Sequence, residues 1–468
     1  MNIKLSFFGA AKNVTGSRYF LEANNTRILI DCGMYQERDY RSRNWEDFPV
    51  NPSSIDMVLL THAHVDHCGF LPKLVKDGFN GKIYCTPATA EIAEIVLLDS
   101  AKLQFEDAKY KKKRHKREGR NGPYPHVPLY TVEDAVATNK LFREVKYNRE
   151  IDVAHDIEAT FYDAGHILGS SMIKVQVKDG DEKRSILFSG DIGRPDKVIL
   201  RNPTLFDEAD YVVMESTYGN RYHQDISDID DSLEEVINET HKAGGNIVIP
   251  SFAIERAQEL LYELNKLFLE RRIPPLFVFV DSPMANKVTK VFQNHPELFD
   301  AEMKEMLDER HSPFSFRNLK IVNTVQESKA INNIRGTSIV IAGSGMCTGG
   351  RIKHHIVNNI TNPNSTLLFV GYQAMGTLGR IILDGVKELR LFGKYFPMKM
   401  KVRRIEGFSA HAGKQELFNW VTNLKKSPKR VFITHGEEKA AEHFAKFVNE
   451  STGWDTFVPE YKDTVVLD

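Results

Sequence analysis

The sequence predicts an α/β protein of two domains, the second inserted into the first. Three observations lead there. At 468 residues the chain is longer than one hydrophobic core usually serves. Over about the first 200 residues, short apolar runs that end in a polar residue or glycine are separated by helical segments. From residue 219 the pattern becomes strand, short loop, helix, repeated, and past residue 395 strands of the first kind return. The expected boundaries are 1–218 and 396–468 for the first domain and 219–395 for the second.

The opening run "MNIKLSFFGAAKN" is too short for a signal peptide and reads as a first β-strand. "RILIDCG", "MVLLTHAH", "ATFYDAG" and "SILFSGD" follow as strands with reactive residues at their carboxyl ends, and "TAEIAEIVLLDSAKL" reads as a helix. Residues 106–125 break the pattern: "KYKKKRHKREGRNGPYP" is basic, then rich in Gly and Pro, and reads as an exposed insertion whose charges either form a solvated face or track RNA backbone, the solvated face being favoured. In the second domain "NIVIPSF" precedes "AIERAQELLYELNKLFLE", "LFVFVDSP" precedes a helix from Met284, and "SIVIAGSG" precedes "RIKHHIVNNI". That alternation predicts a parallel sheet. "KVRRIEGFSAH" and "RVFITHGEE" then resume the first domain.

Composition narrows the function classes. Sixty-two Lys and Arg against 63 Asp and Glu give a formal net charge of −1, so any nucleic-acid site must be a local patch. No apolar stretch approaches the roughly 18 residues of a membrane span. Cys32, Cys68, Cys85 and Cys347 form no Cys-x-x-Cys pair and read as reduced thiols of a cytoplasmic protein.

The densest chemistry lies in "THAHVDHCG", residues 61–69, which spends three of the chain's 16 histidines in six positions. Read as a strand entering a tight loop, it projects His62 and His64 to one side, with Asp66 and His67 around the turn. Imidazole and carboxylate without thiolate suit a catalytic Zn²⁺ site better than a closed structural one. Four residues cannot complete two metal shells. His166 in "DAGHILGS", Asp191 in "FSGDIG" and His435 in "VFITHGE" are the further candidates, each at a strand end beside glycine.

His-x-His-x-Asp-His with a later His and Asp in these settings resembles the metallo-β-lactamase superfamily of hydrolases. The resemblance implies an αββα sandwich and two zinc ions per chain. It places His62, His64 and His166 on one ion, Asp66, His67 and His435 on the other, and Asp191 between them. Asp31 in "LIDCG" matches the superfamily's first motif, whose aspartate supports the site from outside the ligands.

The continuation resembles the β-CASP nucleases, the group of the cleavage and polyadenylation endonuclease and its bacterial and archaeal relatives. Their extra acid corresponds to Glu215 in "ESTYG", and their extra histidine to His411 in "FSAHA". The third motif falls on His435, where histidine accompanies RNA-acting members. The resemblance marks Asp66, Glu215 and His411 as catalytic and implies a zinc-dependent ribonuclease using a water-derived bridging nucleophile. Single-stranded RNA would lie in a cleft between the domains, and a homodimer stays open. His411 is expected to serve the leaving oxygen, with Glu215 fixing its ring and keeping it charged.

"AGSGMCTGGRIKHHI" is a glycine-rich strand-to-helix loop without the Gly-Lys-Ser/Thr ending of a nucleotide-hydrolysing loop. Either it is an ordinary tight turn or its amides hold phosphate. The resemblance favours RNA phosphate at Ser344 and Gly345, aided by Arg351, with Ser251 and Arg256 as a weaker pair; His354 and His355 read as structural. Two enzyme alternatives remain at this level: a metallohydrolase of small thioesters, lactones or phosphodiesters, and a DNA nuclease. Neither a lactone nor a thioester hydrolase needs Glu215, His411 and the inserted domain.

Overall fold

The computed structural model describes residues 2–119, 121–222, 229–371, 373 and 375–468. The chain divides into two units: residues 1–196, 201–222 and 411–468 form one, and 197–200 with 223–410 form the other.

The first unit holds two seven-stranded sheets. The first sheet runs, in spatial order, Thr464–Leu467, Ile3–Phe7, Tyr19–Ala23, Thr26–Ile30, Met57–Leu59, Lys82–Cys85 and Phe142–Glu144. The second runs Thr456–Phe457, Arg430–Thr434, Tyr211–Glu215, Glu182–Phe188, Ser171–Asp179, Ile157–Asp163 and Glu150–Ala154. Alternation along the strands decides which side chains meet. Ile28, Ile30, Leu5 and Phe7 of the first sheet pack against Phe161, Val175, Phe188 and Val213 of the second in one buried core. The other face of the second sheet, with Val212, Met214 and Ile433, is covered by Leu417 and Trp420 of helix Lys414–Thr422 and by Phe444 and Val448 of helix Glu438–Thr452. On the first sheet, Leu29 and Val58 alternate to the opposite face and are also buried. Helix Pro87–Glu118 packs against the edge strand Phe142–Glu144 on that side, with helix Val132–Asn139 beside it. The arrangement is the αββα sandwich.

Helix Pro87–Glu118 is longer than expected. It begins at a Thr86 cap, whose hydroxyl accepts from the Thr89 amide, and ends at Gly119 in the left-handed region. The basic run therefore rides on an exposed helical end, with nothing before Gly119 to break it; Arg120 lies outside the described residues.

The inserted unit carries a six-stranded sheet in the order Leu319–Ile321, Phe277–Asp281, Ser338–Ala342, Ile247–Pro250, Thr366–Phe369 and Lys401–Arg404, with every neighbouring pair parallel. Its last strand lies past residue 396. Lys401–Arg404 pairs with Thr366–Phe369, so "KVRR" completes the inserted sheet and the chain rejoins the first unit at His411. Hydrophobic periodicity reveals a strand but not its partner, and the partner assigns the sheet. Residues 197–200 also cluster with the inserted unit, through the Asp300 amide donating to the Ile199 carbonyl at 2.9 Å.

Candidate active site

Strand direction gathers the reactive residues of the first unit at one edge. In the second sheet, Glu182–Phe188, Tyr211–Glu215 and Arg430–Thr434 are mutually parallel, so the strand end at Glu215 and the loops carrying Asp191 and His435 lie at the same end. In the first sheet, Thr26–Ile30 and Met57–Leu59 are parallel, which sets Asp31 beside the segment that leads into His62 and His64. Asp66 and His67 then ride on the short helix Val65–Cys68.

That histidine loop is clamped by backbone. The Ser17 amide donates to the Asp66 carbonyl at 2.9 Å, and the Cys32 amide to the His67 carbonyl at 2.7 Å. Gly33 is there because nothing larger fits: a Cβ on it would lie 1.6 Å from the Asp66 carbonyl oxygen. Asp31, fully buried at φ +60°, accepts from the Thr61 amide and hydroxyl at 2.8 Å each and lies 2.7 Å from Nδ1 of His67. It fixes that ring so that Nε2 faces the site. Thr217 Oγ1 lies 3.1 Å from Nδ1 of His435, itself held at φ +46°. Such backbone is uncommon outside glycine and persists where surroundings enforce it. His166 follows Gly165, whose φ of +61° turns the chain sharply after strand Ile157–Asp163.

The seven expected ligands converge. His64 Nδ1 lies 3.1 Å from His62 Nε2 and 3.2 Å from His166 Nε2, and Asp191 Oδ2 is 3.4 and 3.5 Å from the latter two atoms. On the other side, His67 Nε2 lies 3.1 Å from His435 Nε2 and 3.3 Å from Asp191 Oδ1, with Asp66 Oδ2 3.7 Å from His435 Nε2. Each oxygen of Asp191 thus faces a different group. The donor atoms of His62, His64, His166 and Asp191 form one candidate metal cluster, and those of Asp66, His67 and His435 form another. None of the four cysteines, all buried free thiols, joins either set.

The electrostatics fit cations there. Burial pushes His62 down to about 3, His64 to about 4 and His166 well below its ordinary value, so these rings are neutral and offer lone pairs. Burial also opposes charge on His67 and His435, but Asp191 with Asp31 or Asp66 outweighs it and raises both. Asp191 Oδ1 is buried without a hydrogen-bond partner. A tetrahedral shell with bonds of about 2.0–2.1 Å sets its donors roughly 3.3 Å apart, the spacing seen here. An all-nitrogen-and-oxygen donor set around an orphaned carboxylate oxygen is what a divalent cation of the zinc type accepts.

Glu215 and His411 stand beside these groups. Glu215 ends its strand, 1% exposed, and accepts from the Ile192 amide at 2.6 Å. Both of its oxygens lie 3.1 Å from Nδ1 of His411, whose Nε2 is 3.9 Å from Asp191 Oδ2. Burial disfavours charge on His411, but Glu215 and Asp191 outweigh it and push the ring up to about 9.

Three comparisons complete the picture. Residues 20–214 match the metallo-beta-lactamase superfamily domain, 257–382 the Beta-Casp domain, and 395–459 the Zn-dependent metallo-hydrolase RNA specificity domain. The chain is 37% identical over 432 residues to Ribonuclease TTHA0252 of Thermus thermophilus, covering 92% of this chain and 93% of that protein. The chain belongs to the β-CASP family of the metallo-β-lactamase superfamily. Among other members, it is 32% identical to Transcription termination factor FttA of Methanosarcina mazei, over 99% of this chain and 72% of that one. It is 31% identical to an RNase J-like protein of Methanocaldococcus jannaschii, over 98% of both. A crystal structure of a protein of unknown function from Enterococcus faecalis V583 shares the fold, with a TM-score of 0.57 at 13% identity over the full length of both chains.

In this β-CASP chain the residues expected to hold RNA divide into two sets. The Ser251 amide donates to the Ala342 carbonyl at 3.0 Å, which puts Ser251 next to the loop of Ser344 and Gly345 at the carboxyl edge of the inserted sheet. Ser251 is buried and its hydroxyl donates to the Phe252 carbonyl at 2.9 Å, and the two arginines are engaged as well. Arg351 donates to Asp281 Oδ1 at 2.5 Å and to the Asn323 carbonyl at 2.8 Å, and Arg256 is buried and paired with Glu259. Asp281 also takes His355 at 2.6 Å and Ser328 at 2.5 Å, which accounts for His355 as a structural residue. Sequence reasoning missed Thr61 and Thr217 as orienting groups. The only available signal was adjacency, each lying within two positions of a motif residue.

Proposed function

We propose that the protein is a zinc-dependent ribonuclease that hydrolyses phosphodiester bonds of single-stranded RNA at the edge of its first unit. The carrying observation is that Glu215 and His411 are joined and stand next to the convergent donors of His62, His64, His166, Asp191, Asp66, His67 and His435. One relative is a ribonuclease by name and another is RNase J-like, which supports RNA as the substrate class.

Two zinc ions held by those seven residues would supply Lewis-acid chemistry to water and to a phosphate oxygen. The chain's own residues do the rest. Asp31 and Thr217 lock the rings of His67 and His435 by their Nδ1 atoms. Glu215 receives Nδ1–H of His411, keeps the imidazolium charged and leaves Nε2–H directed at the reacting region, where it delivers a proton to the leaving oxygen. In the inserted unit, the amides of the Ser344–Gly345 loop are the phosphate-holding groups.

The test is to incubate zinc-loaded protein with 5′- and 3′-labelled single-stranded RNA and matched DNA and to map the products, with His64→Ala as control. RNA cleavage that disappears in the control supports the reading. Absence of RNA cleavage in every divalent metal, or equal cleavage of DNA, overturns it.

A further inference from the structure

The inserted unit contains a two-stranded hairpin, Glu388–Leu391 and Lys394–Pro397, that takes no part in the six-stranded sheet. Its register separates two faces. Leu389 and Leu391 are 2% exposed and join the core with Ile352, Ile356 and Phe369, and Phe396, opposite Leu389, packs against them. Arg390 and Tyr395 pair on the other face. The loop is two residues, Phe392 at φ +49° and Gly393 at φ +82°, a tight turn that suits strand twist and holds its tip rigidly.

This rigid tip displays aromatic surface to water. Phe392 is 59% exposed and Tyr395 67%. One face of Phe392 stacks on the exposed His354, with centroids 4.5 Å apart and planes at 26°. The Arg390 guanidinium sits 5.8 Å from the Tyr395 centroid. Ordinarily such rings would be buried. Here each ring has one face supported by the protein and considerable area left open.

The surrounding charge selects the partner. Residues 387–404 carry seven Lys and Arg against one Glu, in a chain whose formal net charge is −1. Arg403 pairs with Glu239 and Arg404 with Glu406, whereas Lys387, Arg390 and Lys394 have no ion-pair partner among the described residues. Supported aromatic rings within a basic field are the means by which proteins hold single-stranded nucleic acid, through stacked bases and a tracked backbone. A protein partner of neutral charge would leave the lysines uncompensated.

We propose that the hairpin 388–397, with His354, is a single-stranded RNA platform on which bases stack against Phe392 and Tyr395 while Lys387, Arg390 and Lys394 follow the phosphates. The proposal rests on the RNA-cleaving reading and extends it to a surface outside the catalytic groups.

The test uses two full-length variants that spare Leu389 and Leu391: Phe392→Ala/Tyr395→Ala and Lys387→Ala/Arg390→Ala/Lys394→Ala. Binding of a fluorescein-labelled oligouridylate is read by anisotropy on chelator-treated protein across a salt series, and cleavage is read on zinc-loaded protein. The aromatic variant is expected to lose on the order of tenfold in affinity per base unstacked. The charge variant is expected to flatten the slope of log K against log salt by about 0.7 for each phosphate it no longer neutralises. In turnover the loss falls on KM. If the wild type cleaves RNA but both variants bind it with unchanged affinity and slope, the platform is overturned and the ribonuclease reading stands. A wild type that neither binds nor cleaves RNA overturns both. Variants that alter only the concentration dependence of sedimentation assign the hairpin to self-association and likewise overturn the platform.

Discussion

Both carboxylate oxygens of Glu215 lie 3.1 Å from Nδ1 of His411, so a residue ending one strand holds a ring reached only after the whole insertion. In the proposed mechanism the pairing suits His411 to act as an acid, since Glu215 and Asp191 keep its ring charged. His411→Ala should lower the cleavage rate by about 10²–10⁴ with zinc content unchanged by elemental analysis. Full activity in that variant would exclude the acid role.

The same pair sets a pH dependence. An acid catalyst works while protonated, so activity attributable to His411 is present below its folded pKa and falls as pH rises through it. Glu215 is the largest of the groups that raise that pKa. Glu215→Gln should therefore move the alkaline limb of the kcat profile to lower pH. A limb that stays in place would show that another group sets it.

Among the described residues, the Asp31 carboxylate reaches the site through His67 and Thr61. Asp31→Asn should weaken zinc binding by about 10–100-fold in a chelator competition, and restoring zinc in excess should recover much of the activity. Unaltered zinc affinity would mean that the 2.7 Å approach to His67 does not orient the ring.

Gly33→Ala forces a methyl group against the Asp66 carbonyl, and neither backbone can yield cheaply. The expected cost lies at the upper end of the ~1–3 kcal/mol range for overpacking, together with loss of bound zinc. Thermal melts with and without zinc measure both. A variant that melts like the wild type and binds zinc normally would contradict the clamp.

Arg351→Ala removes a partner of the buried Asp281, which retains His355 and Ser328. Its effect should be a lowered melting temperature, with the salt dependence of RNA binding unchanged. A flattened salt slope at unchanged melting temperature would return Arg351 to the phosphate-binding role that its position in "GGRIKHH" implies.

That contrast marks what the sequence can disclose. His62 to His67, His166, Asp191 and His435 were legible because each combines a scarce donor, a strand end and a neighbouring glycine, a coincidence that core packing seldom requires. Arg256 and Arg351 carry the right charge at helix starts, yet their guanidinium groups face Glu259 and Asp281, and a linear pattern does not show where a long side chain turns. The strand Lys401–Arg404 was visible as a strand but not as a member of the inserted sheet, since pairing partners distant in sequence leave no local trace. Thr61 and Thr217 went unread for the same reason: a hydroxyl gains meaning only from the ring it touches.

The late position of His411 and His435 has a consequence for synthesis. Domains fold as they leave the ribosome, yet strand Tyr211–Glu215 must wait for Arg430–Thr434, its parallel neighbour, until the whole insertion has been made. A nascent polypeptide that has emerged only as far as residue 410 lacks both histidines, so neither the Glu215–His411 pair nor the cluster of Asp66, His67 and His435 can yet form.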